Sequence, residues 1–328
     1  MIYISSPSIS PYFNLALEQY VFDEMPKNQE YLMLWQNNNT IVVGKYQNTA
    51  EEINSAYVAA NGINVVRRLS GGGAVYHDMG NLNFTFIMNA GAIQRFDFHH
   101  FTLPVINTLA GMGIKAEFNS RNDITIADKK FSGNAQYLRQ GRVMHHGTLL
   151  FDSDLSVLQA ALNVQPDKYE SKGKKSIRSR VCNINEHLQS HMSIDEFKNR
   201  LIAEITRETE LSEHILTQKD IGRAQEISSL RYETWEWNYG RSPDFNVKKN
   251  RRFEGGSLLL MMNVVKGHIE EACIYGDFFG NDGVRHIEQA LAGVELNETS
   301  ISAALYNLPI NDYINGLNIA TLIEFLLT

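Results

Sequence analysis

Hydrophobic and polar residues alternate along several short segments of the chain, and this period of two predicts β-strands. In NLNFTFIMN, Leu82, Phe84 and Phe86 fall on one face, and Asn83 and Thr85 fall on the other. We expect this strand to bury its apolar face. INVVRRL, GGSLLLMMNVVKG and HIEEACIYGDFF are further predicted strands.

Other segments follow the helical period of 3.6 residues. FNLALEQYVFDEM, EEINSAYVAAN and FTLPVINTLAGMG are predicted helices, and the second of these stops at Gly62. A further helix begins at a capping box formed by Ser193 and Glu196. The chain therefore mixes helices with strands.

Turn-forming residues indicate how the strands connect. YLMLW and TIVVGKY flank the polar turn QNNN and are predicted to form a hairpin. The segment DITIADKKFSGNAQYLRQGRVMHHGTLLFD has turn signals at 128–129 and 140–141, which predict a meander of three strands. Period-two geometry places Lys130, Ser132 and Asn134 on a common face of this meander.

The composition shifts to turn formers and charged residues in NYGRSPDFNVKKNRRFEGG, and we expect a domain boundary near residue 245. Residues 1–245 are predicted to form a large domain of mixed β-sheets flanked by helices. Residues 246–328 are predicted to form a small α+β domain. The expected fold class is therefore α+β, a mixed α/β arrangement in two domains.

Composition and charge exclude several classes of function. The chain has 328 residues and a formal net charge of −7, whereas general nucleic-acid binding needs a basic face. Its two cysteines, Cys182 and Cys273, show no pairing pattern, as expected in a reducing compartment. The N-terminal segment lacks the pattern of a signal peptide, and the longest apolar run is too short to span a bilayer. We expect a cytoplasmic protein that binds neither nucleic acid nor membranes.

The segment RRLSGGGAVYHD is the first candidate for chemistry. Arg67, Arg68 and Ser70 precede three glycines, and His77 and Asp78 follow them, so anion-binding groups surround a backbone that a ligand can approach closely. No Gly-Lys-Ser/Thr follows, and the next element is a strand, which excludes a Walker A loop and a dinucleotide fingerprint. A plain connector between strands is the alternative interpretation.

The predicted meander carries the second group of candidates. A lysine in a strand is usually solvated, but Lys130 precedes the small residues of SGN, which leave room for a substrate. Asp123 could orient a ribose hydroxyl or a hydrated Mg²⁺, or belong to a simple turn. His145 and His146 point to opposite strand faces, and their spacing argues against zinc. Cys182 is either a nucleophile or a small buried residue.

Five motifs together resemble the lipoate–protein ligases of the bacterial two-domain type. They are RRLSGGGAVYHDMGNLNF, RNDITIADKKFSGNAQ, HHGTLLFDSDL, SIRSRVCNI and WEWNYGRSPDF. The resemblance runs from FNLALEQ through the small terminal domain. It implies a fold related to biotin ligases and class II aminoacyl-tRNA synthetases, with a mobile C-terminal domain.

The resemblance also implies an activity. Enzymes of this family use ATP and Mg²⁺ to convert lipoate to lipoyl-AMP. They then transfer the lipoyl group to a lysine of an apo lipoyl domain, in the E2 subunit of a 2-oxoacid dehydrogenase or in the glycine cleavage H protein. We expect a monomer. The choice between lipoate and octanoate stays open, because both chains would fill an apolar tunnel, and the groups that hold Mg²⁺ are not identified.

The family pattern assigns roles to particular residues. Lys130 matches the catalytic lysine that lies against both the acyl carbonyl and the α-phosphate, and Arg68 matches an ATP-contacting arginine. Lys130 and His77 are the residues assigned to lipoate. Residues 167–184 match a loop that orders over the adenylate. The backbone stretch along the nucleotide is matched by Gly73, Ala74, Val75 and Tyr76.

Two other functions remain open. A lipoyl or octanoyl amidotransferase on the same fold would move the acyl group through a cysteine thioester without ATP, and Cys182 is the cysteine near the motifs. A non-catalytic protein that binds lipoyl domains is the other alternative. The presence of Lys130 and of the glycine loop argues against it.

Overall fold

The computed structural model describes residues 1–91, 97–119, 122–162, 180–240, 245–281 and 283–327. The chain divides into two compact units. The first consists of Met1–Val43, Thr49–Arg67 and Ala74–Asn238, and the second of Gly44–Asn48, Arg68–Gly73 and Tyr239–Thr328. The α+β fold class is confirmed. The domain boundary near residue 245 stays a prediction.

Strands of the first unit form two sheets. They are β1 (Ile2–Ser5), β2 (Tyr31–Trp35), β3 (Thr40–Val43), β4 (Asn64–Arg67), β5 (Val75–His77), β6 (Asn81–Asn89), β7 (Ala116–Phe118), β8 (Asp123–Ile126), β9 (Lys129–Arg139), β10 (Arg142–Leu150) and β11 (Ser212–Glu213). A large mixed sheet has the order β11-β1-β2-β6-β10-β9-β8-β7, and a small sheet has the order β4-β3-β5.

The first unit also contains eight described α-helices. They are α1 (Pro11–Asp23), α2 (Thr49–Glu52), α3 (Ser55–Ala60), α4 (His99–Gly111), α5 (Leu155–Ala161), α6 (Ile194–Glu208), α7 (Gln218–Ile227) and α8 (Trp235–Asn238). Of these, α4 and α6 pack on one face of the large sheet and α1 lies on the other. The capping box at Ser193 is confirmed. The predicted single helix in EEINSAYVAAN is wrong, because Asn54 accepts a hydrogen bond from the Tyr57 N–H and starts a separate helix, α3.

The two faces of the large sheet differ in chemistry, as the alternation in β6 predicted. Leu82, Phe84 and Phe86 pack with apolar residues of α4 and α6, and this side is called the core face. Asn83 and Thr85 point to the opposite side, called the α1 face because Thr85 donates a hydrogen bond to Glu18 of α1.

The meander of β8, β9 and β10 is confirmed as antiparallel. The predicted hairpin of YLMLW and TIVVGKY is wrong: β2 lies in the large sheet between β1 and β6, and β3 lies in the small sheet between β4 and β5. Every residue of β2 and β3 is buried. Strands that are apolar on both faces need cover on both sides, which a hairpin of these two alone could not supply.

The second unit contains an antiparallel sheet packed against helices. Its elements are β12 (Val247–Phe253), β13 (Gly256–Val265), β14 (His268–Gly276), α9 (Val284–Leu291), α10 (Glu298–Leu305), α11 (Ile310–Tyr313) and α12 (Ile319–Leu327). The two predicted strands are β13 and β14. The additional strand β12 is rich in charged residues. Two of them contact α12: Lys249 donates to the Leu326 carbonyl, and Arg251 pairs with Glu324. Across the described part of the chain, no helix is long and apolar enough to cross a membrane.

Glu288 of α9 makes the stability of the second unit depend on pH. Its Oε1 accepts a hydrogen bond from the Ile274 N–H of β14, and burial raises the pKa of this carboxyl to about 7. Between the ordinary pKa of 4.5 and about 7, the unfolded chain releases this proton while the folded chain keeps it. The contribution of Glu288 to stability therefore falls as the pH rises through this window and is constant above it.

We predict that Glu288→Gln raises the free energy of unfolding by roughly 1–3 kcal/mol at pH 8, with a smaller gain at pH 5. The amide oxygen of glutamine can still accept the Ile274 N–H, and glutamine has no charge to desolvate. Thermal unfolding at both pH values measures the difference. Glu295→Gln, at an exposed position, is the matched control. A gain that is equal at the two pH values would contradict the assignment.

Candidate functional site

Arg68 holds the glycine loop together within the second unit. Its Nε donates to Ser70 Oγ at 3.0 Å, and its Nη2 donates to the carbonyls of Gly71 and Gly73 at 2.7 and 2.8 Å. The guanidinium is buried and therefore fixes the course of the loop. Arg68, which the family pattern assigns to ATP contact, therefore also stabilises the loop.

The three glycines of the loop meet different surroundings. A Cβ at Gly71 would lie 2.1 Å from the carbonyl oxygen of Phe278, and Gly72 adopts a φ of +87° and donates its N–H to the same oxygen. Tyr46 stacks on Phe278 with ring centroids 4.8 Å apart. Gly73 is exposed, and a Cβ there would meet nothing within 4 Å. Gly71 and Gly72 are therefore required by packing, whereas Gly73 is open to a ligand.

The residues after Gly73 enter the first unit as β5. Ala74 and Val75 are half-buried and Tyr76 is buried. His77 is buried, with its Nδ1 3.2 Å from Asn37 Nδ2 and its ring edge-on to Trp35. The glycine stretch thus joins β4 to the short strand β5, which comes before β6.

A β-bulge changes the face on which Lys130 lies. Ile124 pairs with Ser132, but Thr125 pairs with Lys130, so Phe131 is an extra residue without a partner in β8. Phe131 packs in the core, and Lys130 turns to the α1 face. The prediction that Lys130 shares a face with Ser132 and Asn134 is therefore wrong, because strict alternation does not count the extra residue.

Contacts to both the side chain and the backbone hold Lys130 in place. Its Nζ lies 2.8 Å from Asp123 Oδ1, and the space that a Cβ at Gly133 would occupy is 2.8 Å from the same Nζ. Its backbone N–H donates to the Arg180 carbonyl, and its carbonyl accepts from the Cys182 N–H. Its side chain is 35% exposed, so Lys130 is only partly buried.

A chain of contacts across β6, β10 and β9 of the large sheet connects His77 with the position of Lys130. The His77 ring approaches Asn83 of β6, and Asn83 lies opposite Thr148 of β10. Thr148 Oγ1 accepts from the Gly133 N–H of β9, next to Lys130. Neighbouring strands are about 4.8 Å apart, so both residues belong to one surface on the α1 face.

A buried polar network on this face is not apparent from the sequence pattern. His146 Nδ1 lies 3.1 Å from Glu18 Oε1, Thr85 donates to the same carboxylate, and Trp35 Nε1 donates to Thr85 Oγ1 at 2.9 Å. The sequence alone does not reveal Glu18, because a charged residue in an amphipathic helix is usually solvated. Its spacing of four residues from Asn14, which is also buried, was the available signal.

Two other candidates lie on the core face. His145 stacks on Phe101 with ring centroids 4.6 Å apart, and burial lowers its pKa well below the usual value, so the ring is neutral. Cys182 is buried in the same core cluster as Phe131, and burial raises the pKa of its thiol to about 11. His145 and His146 point to opposite faces, as predicted.

The remaining candidates are placed as follows. Arg67 donates to Thr49 Oγ1 and to backbone carbonyls of α8, so it serves packing. The predicted loop at 167–184 lies outside the described residues up to 179, and Val181 pairs with Lys130. Among the residues that the structure describes, no three histidine, cysteine or acidic side chains converge to hold a metal ion.

Comparisons with known proteins agree on one family. Residues 10–206 match the family model of the lipoyl protein ligase A/B catalytic domain, and residues 242–326 match that of the bacterial lipoate protein ligase C-terminus. The lipoate-protein ligase LplJ of Bacillus subtilis (strain 168) is 45% identical over 321 residues, 97% of this chain and 97% of the relative.

Solved structures give the same result. LipL1 of P. falciparum in complex with lipoate has a TM-score of 0.83 at 27% identity, over 99% of both chains. A bipartite lipoate protein ligase of Thermoplasma acidophilum, described with its E2 lipoyl domain, has a TM-score of 0.64 at 30% identity, over 75% of this chain and 98% of that one. A lipoate-protein ligase A bound with ATP has a TM-score of 0.62 at 28% identity, over 73% and 98%.

We predict that Gly71→Ala destabilises the second unit by about 1–3 kcal/mol, because the new methyl group would collide with the Phe278 carbonyl. Gly73→Ala, two residues away with open space around it, is the matched control and should leave the unfolding temperature nearly unchanged. Differential scanning calorimetry of both variants makes the comparison. Equal effects of the two substitutions would mean that the loop does not pack on Phe278.

Proposed function

The chain belongs to the lipoyl protein ligase A/B family, and we propose that it activates lipoate with ATP to lipoyl-AMP and then transfers the lipoyl group to a lysine of an acceptor protein. The position of Lys130 carries the proposal. Its partly exposed side chain lies on the α1 face, on the same surface as His77. The names of the relatives, which include lipoate-bound and ATP-bound structures, support the same substrates.

Lys130 is the proposed catalytic residue in both half-reactions. In the first, a carboxylate oxygen of lipoate attacks the α-phosphorus of ATP and pyrophosphate leaves. In the second, the acceptor amine attacks the acyl carbonyl, loses a proton and releases AMP. Both steps concentrate negative charge where an ammonium can contact the carbonyl and phosphate oxygens together. Removal of one preorganised group of this kind costs about 2.7–4 kcal/mol.

The glycine loop and β5 are proposed to bind ATP. Gly73 has the open space that a close ligand needs, and Ala74, Val75 and Tyr76 continue the backbone stretch. Arg68 is proposed to contact ATP, as the family pattern implies. It also fixes the loop, since its guanidinium bridges two loop carbonyls.

Lipoate is proposed to bind along the α1 face of the large sheet, with His77 and Lys130 near its carboxylate end. The support is that both residues lie on one surface and that Trp35 contacts the His77 ring there. The choice between lipoate and octanoate stays open.

Magnesium is proposed to arrive bound to the phosphates of ATP. Mg²⁺ commonly keeps several waters and binds through substrate phosphates and one or two carboxylates. The protein groups that hold Mg²⁺ stay unidentified.

The proposed acceptors are lipoyl domains of 2-oxoacid dehydrogenase E2 subunits or the glycine cleavage H protein. The description of the Thermoplasma ligase with its E2 lipoyl domain supports this class of partner. The C-terminal residues 246–328 are proposed as a separate accessory domain that moves between activation and transfer. The monomeric state and the cytoplasmic location stay predictions.

The amidotransferase is the second candidate, and the surroundings of Cys182 argue against it. Its thiol is buried on the core face with a raised pKa, whereas a nucleophilic cysteine needs a lowered one. The side chain therefore has the character of a small apolar core residue.

The test of the proposal is pyrophosphate release from MgATP in the presence of lipoate and without an acceptor. We predict lipoate-dependent release by the full chain. Lys130→Ala should lower it by about 100-fold or more, since the carboxylate and the α-phosphate would meet without a cation. Lys130→Arg should also be poor, because the planar guanidinium is larger and prefers a bidentate partner.

The control for this test is Lys115→Ala, which removes an exposed lysine near β7 and should have no effect. Lipoylation of an acceptor domain without ATP would overturn the proposal. Pyrophosphate release by Lys130→Ala at more than a tenth of the normal rate would mean that Lys130 is not the catalytic lysine.

We predict that Cys182→Ser retains ligation within about twofold, because adenylate chemistry uses no thiol and the serine hydroxyl can still donate to the Lys129 carbonyl. Transfer of lipoate to an acceptor domain is the measurement, and circular dichroism confirms folding. A folded Cys182→Ser protein without activity, together with a thioester trapped in the parent, would favour the amidotransferase.

A further inference from the structure

Hydrogen bonds hold the backbone of Asp123 in a fixed position. Its N–H donates to Asn119 Oδ1, and its carbonyl accepts from the Asn119 N–H, both at 2.9 Å. The preceding Asn122 exchanges hydrogen bonds with Asn134 of β9. Asp123 lies directly opposite Gly133 in the register of β8 and β9. The carboxylate therefore has a fixed position relative to β9.

The end of the Lys130 side chain lies above Gly133. A Cβ at residue 133 would be 2.8 Å from Lys130 Nζ and 2.9 Å from its Cε, so the ammonium end fills space that any other residue would occupy. The lysine stem is flexible and loses rotamer freedom when it is held. The space at Gly133 and the carboxylate of Asp123 together select one position for the ammonium.

Stability alone does not explain this arrangement. The two side chains are 35% and 25% exposed, and ion pairs at such sites contribute little to folding. A neighbouring pair, Lys115 and Glu117, is far more exposed, with side-chain exposures of 87% and 61%.

We propose that Asp123 is a positioning residue for the ligation reaction and that Gly133 provides the space in which Lys130 is positioned. Asp123 holds the Lys130 ammonium before the substrates arrive, so that the acyl carbonyl and the α-phosphate meet a cation at a fixed point. The inference rests on the proposed function of Lys130. It extends that function by identifying two residues that act through the lysine.

The experiment compares Asp123→Ala, Asp123→Asn and Gly133→Ala in the full chain. Asp123→Ala and Gly133→Ala should each lower kcat for lipoate-dependent pyrophosphate release by about 100-fold, the scale of a 1 Å misplacement, while KM for ATP changes less. Asp123→Asn should retain activity within about tenfold, because its amide oxygen can still accept from Lys130. Unfolding temperatures should stay near that of the parent, since the clash in Gly133→Ala involves only a flexible side-chain end.

Two matched controls are available. Glu117→Ala breaks the exposed ion pair of β7, and Gly222→Ala adds a methyl group in α7 where nothing lies within 4 Å. Both should leave kcat and KM unchanged. A second readout is the affinity for lipoyl-sulfamoyl-adenosine, a non-hydrolysable analogue of the adenylate, measured by calorimetry in the parent and in Lys130→Ala.

A double-mutant cycle that combines Asp123→Ala with Lys130→Ala decides whether Asp123 acts through Lys130. If Asp123 acts through Lys130, Asp123→Ala weakens analogue binding in the parent but causes no further loss in Lys130→Ala. Equal losses in both backgrounds, or normal kcat in folded Asp123→Ala and Gly133→Ala, would overturn the positioning role. Normal pyrophosphate release by Lys130→Ala would instead contradict the proposed function itself, and the two failures are thereby distinguished.

Discussion

One extra residue in β9 decides which side of the large sheet carries the candidate chemistry. Phe131 has no partner in β8, and its ring fills the core between the sheet and the helices α4 and α6. The bulge therefore keeps the core apolar and at the same time turns Lys130 to the opposite face. There Asp123 and the open space at Gly133 receive its ammonium. A continuous strand would have directed this charge into the core, where desolvation would be costly.

The two faces of the large sheet give their side chains different surroundings, apolar on the core face and polar on the α1 face. On the core face, His145 is surrounded by aromatic rings and stays neutral. On the α1 face, His146 contacts the buried carboxylate of Glu18, which also accepts a hydrogen bond from Thr85. Two adjacent histidines thus acquire different environments from strand alternation alone. A buried carboxylate with several hydrogen-bond partners gives the α1 face a fixed polar pattern next to Trp35, where a largely apolar acyl chain is proposed to bind.

The glycine loop combines two demands that look identical in the sequence. Gly71 and Gly72 are required because the backbone passes close to Phe278, and Gly72 has a positive φ. Gly73 has space around it and is the position that suits a ligand. Arg68 explains why a loop with three glycines can hold one course, since its guanidinium bridges loop carbonyls that would otherwise be free to reorient. The loop therefore depends on side-chain hydrogen bonds for the order that glycines do not provide.

Local sequence patterns were enough to predict the α+β class, the alternation of β6, the meander, the capping box at Ser193 and, through five motifs, the family. These features depend on residues close together in the chain, where period and turn chemistry act directly. The local patterns did not determine the pairing of β2 and β3, the burial of Glu18 or the face of Lys130. Each of these depends on contacts between residues far apart in the sequence. The bulge at Phe131 is the clearest case, because an aromatic residue between a lysine and a serine fits regular alternation equally well, and only the core that receives the ring selects the irregular register.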